Sequence, residues 1–483
     1  MSAGYERALE SLHAVDPGYP VPEVIEVLAV PGNRHLLEYV VEDPFGAHVF
    51  PGNLPGHPPD EFLVDLNNQL TDCRPIHLWC YIPTCGYRCR FCQYSVVLTT
   101  GGRGVAGRKA SEWAELNMQE AELWLAQVPS LKSVPVGEFN VFGGTPSLLP
   151  PESVAKLLGF YRQRFNFTPQ TTIRFEGDPT TLTRELLQSL VEAGCTKVSC
   201  GVQSFSDQVL QQCGRPHTSD SCRAFIRNAR DAGFDWISID LMFGLLDQTV
   251  SSVEQDLRHA VEAEVTAVVC AKLHLRSYTD TRTGVAGEKP AAWQIPAYRD
   301  RLAQEGHHWP TLGEQYQMHE VLTQGLVGQG YAEHPAMYFA RREKDPEKWK
   351  SIMVDQDKQE AEVAIGLGGS SSCRAAEAIT TVNPTTYQRS VTSGVIPLDS
   401  ATRFDAVSRE ARAVKMALSS CQPLSDELHQ QRFPGRSLFA SPWYGTFQSL
   451  AARHLVNLDP VNGQIALTGA GSTLVEAIIN TEF

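Results

Sequence analysis

The sequence predicts an α/β protein: a partial TIM-like (β/α)6 barrel with an N-terminal arm and a mostly helical C-terminal domain. Three patterns predict it. Between about residues 76 and 275, short apolar runs rich in β-branched residues alternate with amphipathic stretches. Before them the chain is broken by proline and glycine, and after about 310 the alternation stops.

The arm spans residues 1–75. Its stretch from Val41 to Phe62 holds Pro44, Pro51, Pro55, Pro58 and Pro59 with Gly46, Gly52 and Gly56. Such a composition fixes turns and forbids long helices, and it reads as a linker or as a lid over the active site. Within 76–309, strands are expected at Ile76–Ile82, Glu138–Phe142, Thr172–Phe175, Lys197–Val202, Trp236–Leu241 and Ala267–Ala271. Helices are expected at Ser111–Leu125, Pro151–Arg164, Arg184–Ala193, Ser221–Ala232 and Ser252–Ala263. Strand then helix, repeated, gives parallel strands joined by right-handed crossovers, with chemistry collecting at the carboxyl ends of the strands. In 310–483, helices are expected at about 314–328, 358–365, 402–417 and 443–454, then a strand, turn and helix around Ile465 to Ile479.

Composition narrows the class. A chain of 483 residues, 42% hydrophobic and 20% charged, can bury a large core in two domains. A net charge of -14 argues against a nucleic-acid binder, which would carry a basic field. No apolar run approaches the ~18 residues a membrane span requires. Twelve cysteines without a secretory signal point to a reducing, cytoplasmic setting.

Directly after the first strand, Cys85, Cys89 and Cys92 stand at C-x3-C-x2-C spacing. Three thiolates on one short loop hold three corners of an iron–sulfur cube and leave the fourth iron open to a chelating ligand. A zinc site wants a second ligand pair, and neither a second C-x2-C nor a close histidine pair follows. A closed cluster wants a fourth cysteine nearby; Cys73 and Cys80 precede the trio, but Cys80 should lie within the strand. A disulfide framework does not suit a chain this long. The other cysteines are scattered singly and read as buried thiols.

The trio after an apolar strand resembles the radical S-adenosylmethionine (radical SAM) superfamily. Gly143-Gly144-Thr145-Pro146, at the end of the second strand, is similar to the segment by which such enzymes hold the methionine end of the cofactor. Glu176-Gly177-Asp178-Pro179 ends the third strand, Gly201-Val202-Gln203-Ser204-Phe205 the fourth, and Gly214-Arg215-Pro216-His217-Thr218 follows at a helix turn. Asp240-Leu241-Met242-Phe243-Gly244-Leu245 ends the fifth. In this order the segments resemble the oxygen-independent coproporphyrinogen III oxidase-like family, including its class C methyltransferase and cyclopropanase relatives. His334 to Arg341, Gly366 to Ser371 and Leu467 to Gly471 fit the same family.

The resemblance implies that Cys85, Cys89 and Cys92 hold a [4Fe-4S] cluster whose reduced form cleaves SAM to a 5'-deoxyadenosyl radical. It implies that Phe91 packs beside the cofactor, that Gly143 and Glu176 contact a first SAM, and that Gly144, Thr145, Gln203, Arg215 and Asp240 line a second. Trp79 is counted with the cofactor contacts. The residue types suit these roles: a carboxylate accepts from ribose hydroxyls or an ammonium, and Arg215 can fork onto a carboxylate in two bonds. Read without the family, Arg215 and Asp240 make a barrel-mouth ion pair, Glu176 is a helix-start carboxylate, and Gln203 satisfies loop backbone. Arg341, Arg342, Lys344, Lys348 and Lys350 read as a solvated face or as a grip on substrate carboxylates. Gly366, Gly368 and Gly369 read as a turn or as a backbone approach to SAM.

The chain departs from the family where the substrate should sit. Trp79 and Tyr81 stand where the family has tyrosine and histidine, Thr84 where it has phenylalanine, Phe142 where it has glycine, and Leu246 where it has proline. The expectation is therefore a radical SAM enzyme in which a second SAM donates a methyl or methylene group to an sp2 carbon of a small molecule. Oxidative decarboxylation of porphyrinogen propionates, as in an oxygen-independent coproporphyrinogen III oxidase, and haem binding as a chaperone are the alternatives. A flavodoxin- or ferredoxin-type donor would supply the electron, and no nucleic-acid or membrane partner is expected.

Overall fold

The computed structural model describes residues 3–42, 56–72, 74–275, 291–333, 337–343 and 361–483. Most of the proline- and glycine-rich stretch (43–55), Cys73, residues 334–336 and the lysines Lys344, Lys348 and Lys350 lie outside them.

Six strands, β1 (Ile76–Ile82), β2 (Pro135–Gly143), β3 (Asn166–Gly177), β4 (Lys197–Gln203), β5 (Trp236–Phe243) and β6 (Ala267–Lys272), lie in sequence order. Each pairs parallel with the next. Helices Arg103–Gln127, Pro151–Arg164, Arg184–Glu192, Ser219–Ala232 and Val250–Glu262 make the crossovers. Thr218 and Thr249 start the last two of these helices with capping boxes closed by Ser221 and Ser252, so the first-turn N–H groups are satisfied locally.

Alternation along the strands sorts the side chains. Leu78, Cys80, Ile82, Phe139, Val141, Ile173, Phe175, Val198 and Ile239 join the buried core beneath the helices. The opposite face turns into the barrel, where parallel register lines up Trp79, Asn140, Arg174, Lys197 and Trp236 in one row.

The barrel gains a strand from the far end of the chain. Glu362–Ile365 pairs parallel with β1, within the segment expected as a helix over 358–365. Glu362 and Ala364 favour helix locally, but four residues at an open sheet edge are settled by the neighbouring strand. Ser370–Ser372, Ala376–Thr380, Leu398–Arg403 and the short Gly56–His57 extend that flank antiparallel, while Tyr338–Arg341 and Tyr331–Glu333 extend the other, giving thirteen strands among the described residues. The central sheet therefore runs across the boundary expected at 309/310.

The described part of the arm is structural. Helices Ala3–His13, Glu23–Ala29 and Arg34–Glu42 bury Leu12, Ile25, Leu28 and Leu37 in a second core with Leu312, Tyr316, Val414, Phe447 and Ile478. Helix Pro59–Gln69 places Phe62 and Leu66 in the main core. The stretch read as a linker or a lid, Val41 to Phe62, falls mostly on 43–55, outside the described residues. The C-terminal part holds helices Ala406–Ser419, Asp426–Arg432 and Trp443–Ala452, a three-stranded sheet that includes the hairpin Val456–Asp459 and Gln464–Leu467, and after it helices Gly469–Thr473 and Val475–Glu482. Among the described residues no helix is long and apolar enough to cross a membrane.

Candidate active site at the barrel mouth

The cysteine loop begins where β1 ends. Thr84–Cys85 pairs with Val97–Leu98, and Thr99 N–H donates to the Cys85 carbonyl at 2.9 Å, closing the loop into a ring. Gly143 and Gly144 dock β2 against its start. A Cβ on Gly143, whose φ is +130°, would lie 2.7 Å from the Ile82 carbonyl oxygen, and one on Gly144 would lie 2.6 Å from that of Thr84. The N–H groups of Gly144 and Thr145 donate to those same two carbonyls at 2.9 and 2.7 Å. The glycines are thus needed for close backbone approach to the cysteine loop itself. The Thr145 hydroxyl reaches Cys85 Sγ at 3.5 Å.

Cys85, Cys89 and Cys92 are free thiols on this loop. Burial pushes Cys85 up to about 12 and Cys92 up to about 11, and raises Cys89 against the lowering effect of Arg215. Buried thiols become thiolates only when cations compensate them, as cluster irons do. Among the described residues no three His, Cys, Asp or Glu side chains converge to hold a single metal ion. A cube asks for a different donor set: three sulfurs, each on its own iron, as this loop supplies. Cys80 is fully buried in β1 and donates to Asn117 Oδ1 at 3.1 Å, so it is no fourth ligand. Phe91 packs toward Trp293, ring centroids 6.1 Å apart, in a small apolar cluster that holds the loop's outer side.

Arg215 does not pair with Asp240. Its Nη2 donates to Asp178 Oδ2 at 2.9 Å and to the Gly201 carbonyl at 2.7 Å, its Nη1 to Cys89 Sγ at 3.2 Å, and its Nε to His217 Nδ1 at 3.2 Å. His217 Nε2 lies 3.0 Å from the Val202 carbonyl. A guanidinium has five N–H donors, and these four bonds leave one, too few for the expected two-bond fork onto a carboxylate. Asp178 also accepts from Tyr87 Oη and from Thr180 N–H and Oγ1. Burial alone would raise the Asp178 carboxyl, but His217, Arg215 and the hydroxyls hold it well below the usual carboxylate range.

Glu176 and Asp240, at the ends of β3 and β5, are the open carboxylates. Among the described residues neither accepts a hydrogen bond. Burial, then the charge of Asp240, raises Glu176 to about 7 against Arg174; burial raises Asp240 to about 6 against Arg174 and Arg215. Both are ringed by protein yet partly open to solvent, as groups on the wall of a hollow lumen are. Such a pair suits the ammonium and ribose hydroxyls of SAM, so these residues fit the cofactor that the cysteine loop implies. Gln203 closes β4 at a bulge with φ 69°, its amide folded back over Gly201.

Tyr81 and Phe142 lie level with Glu176 in the strand register, and the row of Trp79, Asn140 and Arg174 one layer below is partly unsatisfied. Phe142 packs edge-on to Trp79 at 4.6 Å and to Tyr81 at 5.0 Å. Trp79 Nε1, Asn140 Oδ1 and Arg174 Nε are buried with no hydrogen-bond partner among the described residues. Arg174 also contacts Glu138 at 3.1 Å. Sequence reasoning singled out neither Asn140 and Arg174 nor Asp178, Tyr87 and His217 as site residues; the last three sit within two residues of Glu176, Cys89 and Arg215, which was their only signal.

Arg341 and Arg342 lie away from this mouth. Ala340 pairs with Ala267 at the start of β6, and Arg341 Nε donates to the Val265 carbonyl at 3.1 Å, so the substrate-grip expectation fails for these two. Gly366 makes its close approach to Tyr81: a Cβ there would lie 2.6 Å from the Tyr81 carbonyl oxygen.

Residues 79–260 match the family described as the Radical SAM superfamily. The heme chaperone HemW of Haemophilus influenzae is 27% identical over 53% of this chain and 64% of its own length. The oxygen-independent coproporphyrinogen III oxidase of Salmonella typhimurium is 29% identical over 39% and 40%. Coproporphyrinogen III oxidase (HemN) from Escherichia coli, a solved radical SAM enzyme, superposes with a TM-score of 0.69 at 20% identity, covering 85% of this chain and 92% of its own. Residues 79–260 thus carry a radical SAM domain, and the chain around it is similar to coproporphyrinogen oxidase-like relatives. Its matches span less than two thirds of either curated relative. A radical SAM domain implies a [4Fe-4S] cluster and SAM.

Proposed function

We propose that the protein is an enzyme that generates a 5'-deoxyadenosyl radical at the barrel mouth and directs it at a small molecule of the tetrapyrrole type named in its relatives. The observation that carries the radical step is the meeting of three free thiols on one loop with two open carboxylates beside an aromatic lumen wall. A bound cluster and SAM would supply the one-electron cleavage. The chain's own residues do the rest. Cys85, Cys89 and Cys92 would ligate iron, Glu176 and Asp240 would accept from the ammonium and ribose of SAM, and Trp79, Tyr81 and Phe142 keep water from the radical. The tetrapyrrole reading is supported by the names of the curated relatives, a haem chaperone and a coproporphyrinogen oxidase. Neither is a methyltransferase, so carbon transfer stands second.

One observation favours carbon transfer. A porphyrinogen presents several propionates, yet at the described mouth Arg215 is taken by Asp178, and Arg174 by Glu138. A neutral aromatic or alkene substrate suits the Trp79, Tyr81 and Phe142 wall better.

Anaerobic reconstitution followed by dithionite and methyl-deuterated SAM separates the two. Deoxyadenosine and carbon dioxide that both depend on coproporphyrinogen III support the oxidase. Deuterated deoxyadenosine with S-adenosylhomocysteine supports carbon transfer. Tight haem binding without SAM cleavage returns the chaperone, and no cleavage or haem binding defeats the proposal.

A further inference from the structure

Gly214, with φ 73°, turns the chain out of helix Asp207–Gln212 and sends Arg215 beneath the cysteine loop. The loop is fastened to the same turn: Arg90 N–H donates to the Cys213 carbonyl at 2.9 Å, and Arg90 Nη1 to that of Gln212 at 3.0 Å. With its side chain 8% exposed, the Arg215 guanidinium holds Cys89 Sγ at 3.2 Å on one edge and Asp178 Oδ2 at 2.9 Å on another. Gly201 and His217 fix its remaining direction. It is a rigid cation on the sulfur of Cys89, backed by a rigid anion.

We propose that Arg215 and Asp178 set the reduction potential of the cluster, Arg215 acting through Cys89 to make reduction easier and Asp178 holding part of that effect back. The inference rests on the cluster assignment proposed above. On reduction, one electron from an external one-electron donor enters the cluster, and no bond forms or breaks. The added negative charge spreads over iron and the thiolate sulfurs, so an N–H donated to one of those sulfurs bonds the reduced form more strongly than the oxidised form. A fixed cation favours the reduced form for the same reason, and the carboxylate behind it opposes. Arg215 is thus a positioning residue whose influence reaches the iron through sulfur.

The two side chains carry opposite charge, so their neutral variants should move the potential in opposite directions. A purely structural role would not do this. Full-length wild type, Arg215→Gln, Arg215→Lys and Asp178→Asn would be reconstituted anaerobically, assayed for iron and sulfide, and titrated by electron paramagnetic resonance without SAM. Arg215→Gln is expected to titrate at more negative potential than wild type, with a several-fold smaller reduced fraction at the wild-type midpoint. Asp178→Asn is expected to titrate at less negative potential, and Arg215→Lys between wild type and Arg215→Gln. Equal midpoints at full cluster content, or Arg215→Gln and Asp178→Asn shifting the same way, would overturn the proposal. If Arg215→Gln does not retain a cluster, Asp178→Asn decides alone: anything but a less negative midpoint overturns it. Wild type that takes up no iron would sink the cluster assignment itself, an outcome distinct from a full cluster whose potential does not move.

Discussion

Inside the barrel, Glu138 lies between two cations: Lys197 Nζ donates to its Oε2 at 3.3 Å, and Arg174 Nη2 sits 3.1 Å from its Oε1. Lys197 and Glu138 are 4% and 8% exposed at the side chain. Burial would raise the Glu138 carboxyl, but Lys197, Arg174 and His77 bring it below its ordinary value. Glu138→Gln removes the carboxylate that lies against both buried cations, and a loss of about 3–5 kcal/mol in unfolding free energy is expected. Adding Lys197→Met should recover part of that loss. Denaturant unfolding of the single and double variants measures both, and a single-variant loss under about 0.5 kcal/mol would mean that solvent reaches the pair. Because the folded carboxyl is depressed, this contribution is present above the unfolded value of about 4.3 and is lost as pH falls through the folded one.

Glu176 and Asp240 predict the opposite pH dependence. Their folded values, about 7 and about 6, lie above the unfolded values of about 4.3 and 3.9. The folded protein therefore binds more protons between those limits, and the stability they contribute is present below about pH 4 and lost as pH rises through 6 to 7. The ligand-free protein should melt at lower temperature at pH 8 than at pH 5.5, and Asp240→Asn should reduce that difference. SAM, which brings an ammonium group, should raise the melting temperature more at pH 8 than at pH 5.5. A SAM effect that is equal at both pH values would remove these carboxylates from the cofactor site.

Much of this architecture was legible because apolar alternation marks strands whose outer faces lie under helices, as Leu78, Cys80 and Ile82 do. The lumen was not. In Glu138-Phe139-Asn140-Val141-Phe142 nothing local tells a solvated face from a lumen, and only closure of the barrel turns the polar members inward. The cysteine loop after β1 was legible from its spacing, whereas Glu176 entered only through the family resemblance. The Arg215 partners were not, because Asp178 is 37 residues away in sequence and Cys89 is 126. The arm helices carry good amphipathic faces, but nothing in residues 3–42 names Leu312 or Ile478 as the surface they cover.

Gly143 tests whether loop docking governs cluster assembly. Alanine there must adopt φ +130° and place its Cβ 2.7 Å from the Ile82 carbonyl oxygen, so β2 must move away from the start of the cysteine loop. Gly143→Ala is expected to fold, with a stability loss of about 1–3 kcal/mol, but to take up several-fold less iron on reconstitution. Gly159, where a Cβ meets nothing within 4 Å, provides the control: Gly159→Ala should match wild type in iron content. Equal iron content in Gly143→Ala and Gly159→Ala would show that the loop assembles independently of β2.

Four cysteines crowd the end of β1, and their environments predict two classes. The Cys80 thiol is fully buried, its pKa raised mainly by burial, and it is bonded to Asn117 Oδ1, which also accepts from Tyr161 Oη. Cys80→Ala should cost about 1–2 kcal/mol for the lost thiol contacts and leave iron and sulfide content at the wild-type level. Cys85→Ala, Cys89→Ala and Cys92→Ala should each lose the cluster absorbance and the 5'-deoxyadenosine formed with dithionite and SAM, while far-ultraviolet circular dichroism stays unchanged. Retention of a cluster by any of these three, or its loss in a folded Cys80→Ala variant, would move the ligand set onto the strand. The barrel geometry opposes that move, because Cys80 faces the helices, on the side of the sheet away from the lumen.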